Sequence, residues 1–150
     1  MRRSIVQWMR DVTLVAGITL AAAALWTAEG KARSTATLTR LTDIPSHQER
    51  YRASLLPSAA PIALGEPQAW TLELRDAQGR PVEGAALALE SWMPEEERVA
   101  AAQPRVAAEL GGGRYRVEGL DFERGGWWNV KLAIAAPAAG RDSLAFNLVF

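Results

Sequence analysis

Cysteine is absent from the 150 residues of this sequence, and histidine occurs once. Without cysteine there is no disulfide framework, thiolate zinc site, haem attachment or thiol nucleophile. With one histidine, no single chain can assemble a two-histidine metal site, and a serine triad would have to run through His47. Ser54, Ser58, Ser91 and Ser143 all lie outside any Gly-x-Ser-x-Gly elbow. No catalytic residue and no cofactor is expected on these grounds, and the chain reads as a non-enzyme. An excess of either charge is missing too, since 17 Lys and Arg balance 17 Asp and Glu. A nucleic-acid binder needs a basic surface to displace counterions from phosphates, so no nucleic-acid partner is expected.

What the sequence does contain is unevenly distributed. Arg2, Arg3 and Arg10 precede an uncharged run from Val12 to Trp26, closed by Glu29 and Lys31. Positive residues followed by an apolar run are the layout of a secretory signal or a membrane anchor, so residues 1–28 are read as one hydrophobic helix of that kind. The run is short for a bilayer core, which takes about 20 apolar residues. Ala22 and Ala24 offer the small residues of a cleavage site but lie inside the run, and Trp26 is too bulky to stand two residues before a cut at Ala28. The reading is an uncleaved anchor, with a cleaved signal as the alternative. In both, the arginines remain on the cytoplasmic side and the remainder, slightly acidic once they are set apart, crosses the membrane.

Residues 29–48 are rich in Thr, Ser, Ala and charge and sustain no period, which predicts a linker. His47, at its end, is expected to be solvated. From residue 49 to 150 the pattern changes to short apolar segments divided by Gly and Pro. Seven strands are expected, at Arg50–Leu56, Gln68–Arg75, Ala85–Ser91, Arg105–Leu110, Arg114–Glu118, Trp127–Ala135 and Leu144–Phe150. In the second of them Trp70, Leu72 and Leu74 share one face and Thr71, Glu73 and Arg75 the other, as in a half-buried strand. Seven such strands with regular turn signals predict an all-β fold, an immunoglobulin-like antiparallel β-sandwich, with a small barrel as the alternative. Trp70, Phe122, Phe146 and one of Trp127 and Trp128 are expected to fill its core.

The polar constellations are weak as chemistry. Glu95, Glu96 and Glu97 are three carboxylates in succession, but adjacent residues in a loop do not converge on one cation, and no spaced ligand pattern accompanies them. Gly111, Gly112 and Gly113 lack the Lys and Ser/Thr of a phosphate loop and lie between two strands, which predicts a hairpin turn. Adjacent strand residues point to opposite faces, so one of Trp127 and Trp128 is available for an interaction surface. Trp128 is taken as that residue.

Read together, Trp70–Asp76, Gly79–Ala85, Met93-Pro94, Gln103–Val106, Gly113–Tyr115, Val117–Leu120, Phe122, Gly126–Trp128 and Phe146–Val149 resemble the FixH/YtkA-like family over about a hundred residues. The resemblance implies a small immunoglobulin-like sandwich in the bacterial envelope, commonly behind one N-terminal membrane segment. It also implies a link to assembly of copper-containing oxidases; some relatives are labelled auxin-binding proteins. Many relatives follow a Met-Pro with His-x-His, which looks like a copper loop. Here Met93 and Pro94 are kept, while the two histidine positions hold Glu96 and Arg98. Arginine has no free lone pair to ligate, and Met93 alone does not hold copper tightly, so copper is not expected.

The reading is therefore a non-enzymatic, membrane-anchored periplasmic domain that binds an envelope protein, in respiratory-oxidase or metal-handling assembly. Met93, Pro94, Glu96, Arg98 and Trp128 are its candidate contacts. The alternative is a copper or small-ligand carrier that uses Met93 with carboxylates or with His47.

Overall fold

The computed structural model of the chain describes residues 41–150. The expected membrane segment, residues 1–28, and the linker up to residue 40 lie outside the described residues.

Among the described residues nine strands form two antiparallel sheets. They are β1 (Ile44–Pro45), β2 (Tyr51–Pro57), β3 (Gln68–Asp76), β4 (Ala86–Met93), β5 (Arg98–Val99), β6 (Arg105–Gly111), β7 (Arg114–Leu120), β8 (Trp127–Ala136) and β9 (Gly140–Val149). One sheet runs β1-β2-β3-β7-β6 and the other β5-β4-β8-β9. The seven expected strands are all present, and the two additional ones, β1 and β5, have two residues each. No alternation can announce so short a strand, and β1 falls within the stretch read as linker. Leu41 and Ser46, in that same stretch, are buried.

Period-two alternation explains the core. Trp70, Leu72 and Leu74 of β3 face Trp128, Val130, Leu132 and Ile134 of β8 and Leu144, Phe146 and Leu148 of β9 across the sandwich, all of them buried. Phe122, in the β7–β8 connection, joins the layers. Its ring meets Trp70 edge-on at 5.9 Å and Trp128 edge-on at 5.5 Å, and Phe150 lies 4.8 Å away.

β9 begins four residues earlier than its apolar residues suggest, because its first turns are held by polar contacts. Asp142, buried, accepts hydrogen bonds from Ser46 Oγ at 2.6 Å and from the backbone N–H groups of Gln48, Arg50 and Ser143. Ser46 Oγ in turn accepts from the Tyr51 N–H at 2.9 Å. The segment leading into β2 is thereby fastened to the start of β9.

The β6–β7 hairpin turns on Gly111, Gly112 and Gly113, all at positive φ. At Gly113 a Cβ would stand 2.5 Å from the Leu74 carbonyl oxygen, whereas at Gly112 it would meet nothing. Gly113→Ala is expected to cost more than about 2 kcal/mol, from the left-handed backbone and the clash together, and Gly112→Ala about 1 kcal/mol. Urea unfolding of the two variants checks the difference.

Candidate functional site

Of the contact residues expected from the sequence, Met93, Pro94, Glu96 and Arg98 run from the end of β4 to the start of β5 and Trp128 stands on β8, and the structure separates them. Alternation along β4 turns Leu89, Ser91 and Met93 inward and Glu90 and Trp92 outward. Met93 is 2% exposed, and a Cβ added at Gly126 would stand 2.7 Å from its methyl carbon. Its thioether belongs to the core and is closed to a solvent ligand. This corrects its reading as a contact or ligand residue.

Pro94–Glu96 then forms a single 3-10 turn, begun by the proline and ended by Glu97 in the left-handed region. Glu96 pairs with Arg124 at 3.0 Å, and Arg98 with Glu123 at 2.8 Å. Glu123 also accepts from the Ala101 N–H at 3.3 Å. The two positions at which the family resemblance implies metal ligands are thus occupied by opposite charges that each find a partner on the β7–β8 connection. Exposed pairs of this kind contribute less than about 1 kcal/mol each, so they position the loop more than they stabilise the fold. Among the described residues no group of three His, Asp or Glu side chains is placed to hold a metal ion.

Trp128 is likewise corrected. It is 1% exposed, in phase with Val130, Leu132 and Ile134, and its indole N–H donates to the Arg124 carbonyl at 3.0 Å. Its neighbour Trp127 is the outward residue, 39% exposed, and Trp92 on β4 is 36% exposed. Both follow from strand parity. Trp127 alternates with Asn129 and Lys131, and Trp92 with Glu90.

These two tryptophans stand on the outer face of the β4-β8-β9 sheet, and their rings are fixed. Trp92 Nε1 donates to Asn129 Oδ1 at 3.1 Å, and Trp127 Nε1 donates to Asn147 Oδ1 at 3.1 Å. Asn129 Nδ2 donates to the same Asn147 Oδ1 at 3.0 Å. The register Trp92–Asn129–Asn147 across three strands produces this ladder. Exposed Val99 and Val149 border it, the first opposite Trp92 and the second opposite Trp127.

The rest of this face is small. Ala86, Ala88, Ala133, Ala135 and Ala145 line it beyond the tryptophans, with Glu90 opposite Lys131 in the middle. A depression of about 380 Å³ lies beside Trp92, bounded by His47, Glu90, Asn129 and Lys131. His47, exposed as expected, is thus on the outer face while Met93 points into the core, so the two do not meet in one site.

The outer face of the other sheet has a different character. Ion pairs join Arg52 to Asp43, and Arg105 and Arg116 to Glu118. One face of the sandwich is therefore crossed by ion pairs, and the other carries two exposed tryptophans and small side chains with Glu90, Lys131 and Arg141 as its charges, an aromatic surface of the kind that protein interfaces concentrate.

No functionally curated protein matches the sequence. A crystal structure of a DUF4426 family protein from Pseudomonas aeruginosa PAO1 superimposes with a TM-score of 0.50 over 67% of this chain and 91% of that one. Sequence identity between them is 15%, so this likeness concerns the fold. The family model described as YtkA-like matches residues 46–133, more than half of the chain, and the protein belongs to the YtkA-like family.

Proposed function

We propose that this YtkA-like chain is a non-enzymatic envelope domain that binds a partner protein through the outer face of the β4-β8-β9 sheet. In this reading the sandwich is immunoglobulin-like, residues 1–28 hold it at the inner membrane, and the domain works on the periplasmic side, in oxidase or metal-handling assembly. One observation carries the reading. Trp92 and Trp127 are about a third exposed, yet their indole N–H groups are already satisfied by Asn129 and Asn147. Their rings are ordered before any partner arrives, and ordering an aromatic side chain in advance lowers the entropy cost of docking. The ion-paired loop of Pro94, Glu96 and Arg98 borders the same end of the sheet and supplies a polar rim.

Photo-crosslinking in intact cells tests this. A crosslinker at position 127 is expected to trap a discrete envelope protein, and one at Arg116, on the charged sheet, is expected to trap none. Replacing both Trp92 and Trp127 with alanine is expected to weaken capture of that protein by about 2 kcal/mol or more, the size of a hot spot, with the far-UV spectrum unchanged. Equal labelling from positions 127 and 116 would count against the reading.

A further inference from the structure

The four outermost strands of the two sheets are not equally guarded. An outer strand carries a row of unpaired backbone groups, and natural sheets blunt such rows by keeping them short, broken or covered. β1 and β5 have two residues each, and β6 is interrupted by irregularities at Val106/Ala108 and Glu109/Gly111. Behind β5, Ser91 of β4 is taken by the Ala100 N–H and by Gln103, and β6 lies beside β4.

β9 has none of these devices along its second half. It pairs with β8 in unbroken register from Trp127/Val149 to Ala136/Gly140. Gly126 and Phe150 exchange both of their backbone hydrogen bonds, at 3.2 and 3.1 Å. Alternation then makes 128/148, 130/146 and 132/144 hydrogen-bonded pairs and 129/147, 131/145 and 133/143 non-bonded ones. The backbone N–H and C=O groups of residues 143, 145, 147 and 149 therefore point away from β8. Ser143 confirms the phase, since its carbonyl accepts from the His47 N–H at 2.8 Å. Among the described residues no backbone group meets those of Ala145, Asn147 or Val149 on the side away from β8.

The run Ala145-Phe146-Asn147-Leu148-Val149 carries no charge. We infer that it pairs with the same run of a second copy, antiparallel about a two-fold axis through Asn147. This centre uses the whole uncovered stretch and stops short of the His47 cap on Ser143, so the cap sets the register. It places Ala145 opposite Val149 of the second copy, small against branched, and opposes no like charges. Val149, 56% exposed, is covered on its open side by the second copy. Asn147 meets Asn147 of the second copy through an amide nitrogen that donates to nothing among the described residues. The two four-stranded sheets become one of eight, and the aromatic faces of both copies lie on one side of it. An interface of five residues per copy is small, so the dimer forms and dissociates with concentration.

Hydrogen exchange of the full chain in detergent, over a range of protein concentrations, tests the pairing residue by residue. The amides of Ala145, Asn147 and Val149 are expected to gain about tenfold protection as concentration rises, in step with a monomer–dimer transition by sedimentation. Those of Phe146 and Leu148, already bonded to β8, are expected not to change. Val149→Lys sets a charge against the pairing strand, and Ala145→Pro deletes one outward donor without touching the β8 ladder. Each is expected to raise the dimer dissociation constant about tenfold with the fold intact by circular dichroism. A monomer at every concentration with the three amides unprotected would overturn the proposal. So would a dimer that leaves them unprotected, as association through the apolar N-terminal run would, or protection already complete in the monomer.

Discussion

Phe122→Ala is expected to lower the stability of the domain by about 3–5 kcal/mol, which for a fold of this size is a fall of roughly 15–25 °C in melting temperature. The residue lies in a connection, yet its ring touches Trp70 of one sheet, Trp128 of the other, and Phe150. Its removal leaves a void between layers that the two backbones cannot close, and ends two edge-on aromatic contacts worth about 1 kcal/mol each. It also loosens the Phe122 carbonyl, which accepts from the Gly65 N–H at 2.8 Å and so ties down the β2–β3 connection. Phe122→Leu keeps most of the volume and is expected to cost well under half as much. Thermal unfolding followed by near-UV circular dichroism compares the two. An alanine variant that melts within a few degrees of the wild type would mean that Phe122 is no hub.

The second large effect belongs to Asp142. Asp142→Asn preserves shape but gives up the charge that four donors address, and is expected to cost about 3 kcal/mol at neutral pH. The pH dependence has a definite sign. Burial raises the carboxyl's proton affinity, but the hydrogen bonds from Ser46 and from the backbone of Ser143, Gln48 and Arg50 outweigh it, and its pKa lies below the ordinary value. The folded state thus holds the proton less tightly than the unfolded one, so the stabilisation is present above about pH 4 and is lost as pH falls from there through the folded pKa. Urea titrations at neutral pH and near pH 3 are expected to show the wild type losing more stability on acidification than Asp142→Asn. Parallel losses would show that other carboxylates carry the acid sensitivity.

Strands with a clean alternation were legible from the residues alone. Trp70, Leu72 and Leu74 against Thr71, Glu73 and Arg75 can be satisfied only by a half-buried strand, and the glycine triplet only by a turn. Elements held by hydrogen bonds were not legible. β1 falls in the stretch read as linker and the first residues of β9 outside the expected strand Leu144–Phe150, because Ser46 and Asp142 are polar; these two are buried only because each supplies what the other lacks. The candidate surface lies between these cases. The parity that hides Trp128 and Met93 and exposes Trp127 and Trp92 is present in the sequence, but the asparagine ladder needs the alignment of β4, β8 and β9, which no single strand specifies.

The burial of Met93 has a chemical consequence as well as a steric one. It is the sole methionine between residues 41 and 150, and the chain has no cysteine. With its methyl group lodged against Gly126, the folded domain shows solvent no sulfur at all. Peroxide and other oxidants that convert thioethers to sulfoxides reach this side chain only when the sandwich opens, so the rate of its oxidation becomes a clock for that opening.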